Sequence, residues 1–261
     1  MPSYFPWLLR AYILFLVFLL GACIGSFLDC SAGRYVRKVP YLKGRSHCDV
    51  CGKTLDALDL IPIVSYLVRR GRCRWCGAKI PPRCLAVESL TGLVYLTTVW
   101  SLGLTLQSVE ALVLESCLVW LALVDLDTME LPNGPMLAGA VSWLAFLVSY
   151  PDPIHRLWWG ALGALCIGGG VLCVSLIADK VLRKESMGGG DIKLLALLGL
   201  YLGPDGGLLL LILACVMGLA LAAILRAGRG REFPFGPAIA LAAWPCLLAG
   251  QRVLTWYFGL F

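Results

Sequence analysis

"ESMGGGDIKLLALLGL", residues 185–200, decides how this chain is read. Three glycines precede Asp191, and the residues after it are almost wholly apolar. A carboxylate at the mouth of such a run is either a residue of a helix's first turn or a working acid. The solvent around it has to be settled first. The chain has 261 residues, of which 59% are hydrophobic and 15% charged, whereas a soluble domain carries about 25% charged residues. Several runs reach the length of about 17–25 residues that a membrane span needs. The first, Trp7 to Leu28, lacks a basic leading region and a small-residue cleavage site, so it is expected to be a retained span and not a signal peptide.

Apolar runs bounded by charge, proline and glycine place spans near 6–28, 84–104, 108–126, 134–150, 157–178, 191–203, 207–225 and 234–258. The expected fold is an all-α polytopic membrane protein of about eight transmembrane helices with a small cytoplasmic zinc-binding loop domain. Its parts would be a first transmembrane helix over 1–28, a zinc-ribbon-like loop over 29–83, and a membrane core of about seven helices over 84–261. Charge supports an orientation. Twelve of the 22 Lys and Arg lie between Arg34 and Arg83, and none between Cys84 and Asn133. Four more lie from Lys180 to Lys193 and three in "RAGRGRE", 226–232. Basic loops stay cytoplasmic, and eight alternating spans would put all three on that side, with both termini outside. This distribution explains the net charge of +6 without any nucleic-acid partner.

The loop before the second span holds "CDVCGK" and "CRWCGA": Cys48, Cys51, Cys73 and Cys76 form two C-x2-C pairs 21 residues apart, each followed by glycine. Each pair aims two thiolates at one point, and two such knuckles suit tetrahedral Zn²⁺. Redox-active pairs or free thiols are the alternative, but disulfides are disfavoured in the cytoplasm. Four sulfurs complete the site, so His47 is a bystander and the zinc has no open position for catalysis; its work would be to fold a loop too small to bury its own core. The other eight cysteines are expected to be small packing residues.

Asp125, in "LALVDLDTMELPNGPM", ends the third expected span, and Asp191 begins the sixth. That topology puts both acids at one membrane depth; it does not make them neighbours. Ionisable groups in membranes are costly and point to function. Two adjacent carboxyls would share a proton, so that one activates water while the other protonates a carbonyl oxygen or leaving amine. Gly188, Gly189 and Gly190 would let the backbone approach a partner or an extended peptide. In the bland alternative Asp191 is a helix-start residue and Asp125 an interface acid. Asp127 is a rival on another helical face, and Asp179 is expected to be solvated. A transporter or channel that relays protons through Asp125 and Asp191 is a further alternative, though no inverted repeat is evident.

The ordered set "GACIGSFLDC", the two cysteine pairs around "LIPIVSYLVRRGRCRWCGAKI", "AVESLTG", "DLDTMELPN", "MGGGDIKLLALLG" and "FPFGPAIALAA" covers nearly the whole chain. In it the sequence resembles the bacterial type IV prepilin peptidases, bifunctional leader peptidases and N-methyltransferases of the GxGD aspartyl protease type. The resemblance implies that Asp125 and Asp191 are the catalytic pair. It implies prepilin or pseudopilin substrates cut between a short basic leader ending in Gly and a helix usually beginning with Phe. It also implies a multi-pass enzyme of the bacterial inner membrane with its site on the cytoplasmic face, serving pili, secretion or DNA uptake, and N-methylation of the new terminus from S-adenosylmethionine, associated with the first span and the cysteine loop. Asp29 stands where that pattern has Asn, a change in charge and donor capacity that bears on methyl transfer. Glu88, about one turn into the second span, is assigned to an interfacial ion pair or to methyl transfer. Glu115 is expected to face the bundle or a wet cavity.

Overall fold

The computed structural model describes residues 5–40, 44–183, 186–224 and 233–259. The basic stretch 226–232 lies outside them. Regular structure among these residues is helical, apart from two isolated antiparallel bridges, His47 with Thr54 and Arg72 with Lys79. Helices satisfy every backbone group within one segment, as lipid demands. The chain divides into two compact units, Met1–Leu104 and Thr105–Phe261.

In the N-terminal unit, α1 (Phe5–Val36) runs antiparallel to α3 (Pro82–Leu102). Gly21 and Gly25 of α1 meet Thr91 so closely that an added Cβ would sit 2.8 Å from its carbonyl oxygen and 2.9 Å from its Oγ1 respectively. Small residues at such crossings let helices pack where lipid supplies no hydrophobic drive. At the end of the contact Arg83 Nε donates to Asp29 Oδ1 at 3.1 Å. The cysteine loop joins the two helices and carries a 3-10 turn (Ala57–Asp59) and the short α2 (Val64–Val68).

The C-terminal unit begins with α4 (Leu106–Thr128), closed at its start by reciprocal bonds between Thr105 and Ser108. Then follow α5 (Asn133–Ala145), α6 (Pro153–Ala164), a π-helical turn (Leu165–Gly169), α7 (Gly170–Leu182), α8 (Gly189–Ile224) and α9 (Gly236–Phe258). α8 is broken at Gly203, whose φ of +69° suits glycine and which lies against the Trp159 ring. Before the break Ala196 meets Gly168; after it Gly207 meets Ile167. Adjacent residues of one segment thus touch two points that a straight helix would hold about 16 Å apart. Gly190 and Gly236 both rest on Leu131, and Gly218 packs on Phe235. The chain therefore turns back at Gly203, and both ends of α8 reach the end of the unit where α9 starts.

Among the described residues five helices, not about eight, are long and apolar enough to cross a membrane: Trp7–Val36, Pro82–Leu102, Pro153–Leu182, Gly189–Ile224 and Gly236–Phe258. Three differences produce the correction. The third expected span is α4, which has the length but carries Glu110, Glu115 and Asp125 buried against protein. The fourth is α5, whose 13 residues reach only about 20 Å before the chain passes into a 3-10 turn. The sixth and seventh belong to one element, α8. The alternation inferred from eight spans is lost with that count. No separate zinc-loop domain forms either, because the cysteine loop belongs to the same compact unit as α1 and α3.

Candidate active site and metal centre

Asp125 lies in the last turn of α4 and is 4% exposed. Met129 ends that helix in the left-handed conformation, φ 56°, with its N–H on the Asp125 carbonyl. The Asp125 side chain turns inward, where Oδ2 accepts the Gly236 N–H at 2.8 Å. That donor is one of the free N–H groups at the start of α9, a helix end suited to a carboxylate. Asp127, two residues on, is exposed.

Asp191 lies in the first turn of α8, where its own N–H closes that turn on the Gly188 carbonyl at 3.1 Å. Its side chain does not cap the helix: Oδ1 is buried without a hydrogen-bond partner among the described residues. Leu131 fastens the two acids' neighbourhoods together. Its Cβ would lie 2.8 Å from a Cβ added to Gly190, and its Cδ2 3.2 Å from one added to Gly236. Asp191 is within Coulombic range of Asp125. Of the three glycines before Asp191 only Gly190 is sterically demanded; a Cβ on Gly188 would meet Asp191 Oδ2 at 3.4 Å, ordinary contact, and on Gly189 nothing.

Upstream, Asp179 is not merely solvated. Its Oδ1 accepts the Ser186 N–H at 2.6 Å, and the Ser186 and Ser175 hydroxyls meet at 3.2 Å, which pins the connection into the glycines. Lys193 Nζ donates to Asn133 Oδ1 at 3.1 Å, joining the start of α8 to that of α5. Glu115 is buried in protein. Sequence reasoning passed over a second buried cluster near the other end of α4. Glu110 there accepts from Arg156 and from the Tyr150 hydroxyl, and the guanidinium stacks 3.5 Å over the Tyr150 ring. The only signal in the sequence was that Arg156 is the sole Lys or Arg between Cys84 and Asp179.

The four cysteines converge. The Sγ atoms of Cys48, Cys51, Cys73 and Cys76 all lie within 4.8 Å of one another, with Cys48 and Cys76 at 3.9 Å. Tetrahedral Zn²⁺ with bonds of about 2.3 Å requires sulfurs about 3.8 Å apart, so the donor set fits. The knuckles are built alike. The N–H of Cys48 bonds to the Lys53 carbonyl and that of Cys73 to the Ala78 carbonyl, at 2.9 and 2.8 Å. Gly52 and Gly77 both turn with φ +70°. Backbone N–H groups of Cys76 and Trp75 hold the Cys73 thiol below its usual range, which favours the thiolate that a metal needs. His47 points to the Arg45 carbonyl, at 3.3 Å.

Glu88 is buried in α3, and Oε2 accepts the backbone N–H of Ile63 at 2.7 Å. Its partner is thus main chain of the loop.

These features define an all-α, multi-pass membrane protein with two gathered acids in one unit and a cysteine centre in the other. The comparisons with known proteins give that class its family. Residues 19–102 match the bacterial peptidase A24 N-terminal domain, and residues 112–223 the type IV leader peptidase family. The prepilin leader peptidase/N-methyltransferase of Aeromonas hydrophila is 34% identical over 281 residues, covering 97% of this chain and 94% of that one. That of Neisseria gonorrhoeae is 32% identical over 83% of this chain and 76% of its own length; that of Bacillus subtilis is 29% identical over 94% and 98%. No solved structure matches. The chain belongs to the type IV leader peptidase family, a family of membrane enzymes.

Proposed function

We propose that this protein removes the short basic leader from type IV prepilins or pseudopilins, at a junction of Gly with a Phe-type residue, by a two-aspartate mechanism. The observation that carries the reading is the inward Asp125 carboxylate, held by the Gly236 N–H, at the end of the unit where Asp191 opens α8. A single proton shared by the two carboxyls serves both halves of the reaction. The ionised one takes a proton from water as the oxygen attacks the scissile carbonyl carbon, and the protonated one gives its proton to the carbonyl oxygen. The tetrahedral intermediate collapses as the nitrogen takes a proton and the C–N bond breaks. A carboxylate remains on the leader and an amine on the mature chain. Open space beside Gly189, the first residue of α8, leaves room for extended backbone next to Asp191, with Gly190 seated on Leu131.

The same reading places the acids and the cysteine loop on the cytoplasmic face of the bacterial inner membrane, where a basic leader would meet them. Zn²⁺ held by Cys48, Cys51, Cys73 and Cys76 would supply structure, with no step of the peptidase routed through it. Methylation of the new terminus, the second activity named for the relatives, would need S-adenosylmethionine as methyl donor. Asp29 is engaged by Arg83 and Glu88 by Ile63, so both acids serve packing, and no donor pocket is assigned to them.

Cleavage of a matched prepilin by the purified protein in detergent is the test. Asp125→Asn and Asp191→Asn should each lower the rate by at least about a thousandfold, in the range of losses on removing one member of an acid–base unit. Asp127→Asn should stay near wild type. Wild-type rates in the first two would remove the aspartyl mechanism and leave Asp191 a helix-start residue.

A further inference from the structure

The turn between the two cysteine knuckles shows more apolar surface than a water-facing loop should. Val64, Leu67 and Val68 occupy one face of α2 at helical spacing, and Ile61 extends the stripe one turn back. These four side chains are 41–76% exposed. The opposite side of the turn is packed, since Tyr66 lies against Gly71 and its hydroxyl donates to the Ile80 carbonyl. Immediately after the stripe come Arg70, Arg72 and Arg74, all exposed, while Arg69 is paired with Asp59.

Depth is fixed by a separate contact. At the far end of this helix pair the Arg10 guanidinium stacks on Trp100, 4.7 Å from the ring centre, and an aromatic with a cation marks a membrane boundary. A hydrocarbon layer of about 30 Å measured along α3 from Trp100 takes about 20 residues, which ends it near Ile80. Glu88 is inside that limit, and its carboxylate holds the Ile63 N–H at 2.7 Å. The turn that bears the stripe therefore reaches the level of the second turn of α3. Ile63 is held in an unusual conformation for a β-branched residue, φ 63° and ψ −54°, with the Val64 N–H closed on the Pro62 carbonyl. Such a backbone persists only where its surroundings fix it, and the Glu88 bond does so.

We propose that the segment from Ile61 to Arg74 is a lipid anchor entering the bilayer that α1 and α3 cross. Ile61, Val64, Leu67 and Val68 lie among acyl chains at the interface, and Arg70, Arg72 and Arg74 bind anionic phospholipid headgroups. An apolar stripe beside a basic cluster is the pattern of interfacial helices, and the arginines match the sign of the headgroups. The anchor would hold the cysteine centre flat against the membrane without help from any other protein.

The experiment places photoreactive benzoylphenylalanine at Leu67 or at Val68 in the full chain, with Thr54 on the first knuckle as reference. The protein is reconstituted in vesicles of phosphatidylethanolamine and phosphatidylglycerol, illuminated, and its adducts are weighed by mass spectrometry. Whole-phospholipid adducts at both positions, several-fold above Thr54, are expected. Arg72→Gln or Arg74→Gln should lower the phosphatidylglycerol share by up to about fivefold per charge. Using two positions keeps the outcome readable if one substitution disturbs the loop. Lipid adducts no more frequent than at Thr54 would overturn the proposal. So would adducts to a second copy of the chain, or to an added prepilin, in place of lipid.

Discussion

At the scale of residues, the site depends on atoms that are not acids. A Cβ on Gly236 would stand 2.8 Å from Asp125 Oδ2 and 3.2 Å from its Cγ, inside the space the carboxylate needs to receive the Gly236 N–H. Gly236→Ala is therefore expected to reduce prepilin cleavage by at least about tenfold, roughly the value of one charge-assisted hydrogen bond, while the protein still extracts as a folded species. Gly190→Ala presses on Leu131 and should also impair cleavage, whereas Gly189→Ala meets open space and should not. Initial rates of the three variants on one substrate check this ranking. The two aspartates were legible in the sequence as charges bordering apolar runs. Leu131 and Gly236 were not, because contact across elements distant in sequence leaves no local mark. The choice of Asp125 over Asp127 came from a family pattern; Asp125 is buried and Asp127 exposed, and cleavage by the two Asn variants is what decides between them. Glu88 shows a different limit: an acid near arginines suggested an ion pair, yet its partner is a backbone N–H, which no side-chain pattern encodes.

At the scale of elements, apolar runs identified helices well and membrane crossings poorly. The α1, α3 and α9 spans overlap the apolar runs that marked them, 6–28, 84–104 and 234–258, though α1 continues to Val36. α4 misled because a helix buried among protein neighbours can be as apolar as one facing lipid; Glu110, Glu115 and Asp125 all lie buried along it. α8 misled in the opposite sense: glycine and proline at 203–204 marked the boundary of two separate spans, whereas they break and turn back one element that runs from Gly189 to Ile224. Gly203→Ala tests that bend. The backbone at Gly203, φ 69° and ψ −177°, is essentially reserved for glycine and costs another residue about 1–3 kcal/mol, and the Trp159 ring leaves no room for a methyl group, so the loss should reach at least that range. Thermal unfolding in detergent should show the drop, and cleavage at low temperature should persist if the bend serves only to bring the ends of α8 together. The Glu110–Arg156 pair makes a second test of packing. Both side chains are largely buried, and removing one partner of such a pair typically costs about 3–5 kcal/mol. Arg156→Ala should accordingly destabilise the C-terminal unit more than any exposed arginine variant, as read by the same unfolding measurement.

At the scale of the whole molecule, the two compact units coincide with the two family matches: 19–102 falls inside Met1–Leu104, and 112–223 inside Thr105–Phe261. The cysteine centre belongs wholly to the first and the gathered acids wholly to the second. Chemistry supports a division of labour along that line. A closed tetrathiolate site has no position for substrate, and both carboxyls of the proposed dyad lie in one unit with the helix starts that orient them. Cys48→Ser and Cys73→Ser should each lose bound zinc, measured by elemental analysis, and expose the loop between Gly44 and Pro81 to limited proteolysis, because the knuckles have little apolar core of their own. Thr105–Phe261 should stay protease-resistant, since it is a compact unit of its own. Leader cleavage should then fall only in part. If cleavage vanished while the C-terminal unit remained folded, the cysteine unit would have to hold the substrate during proteolysis, and the two halves would be one catalytic device.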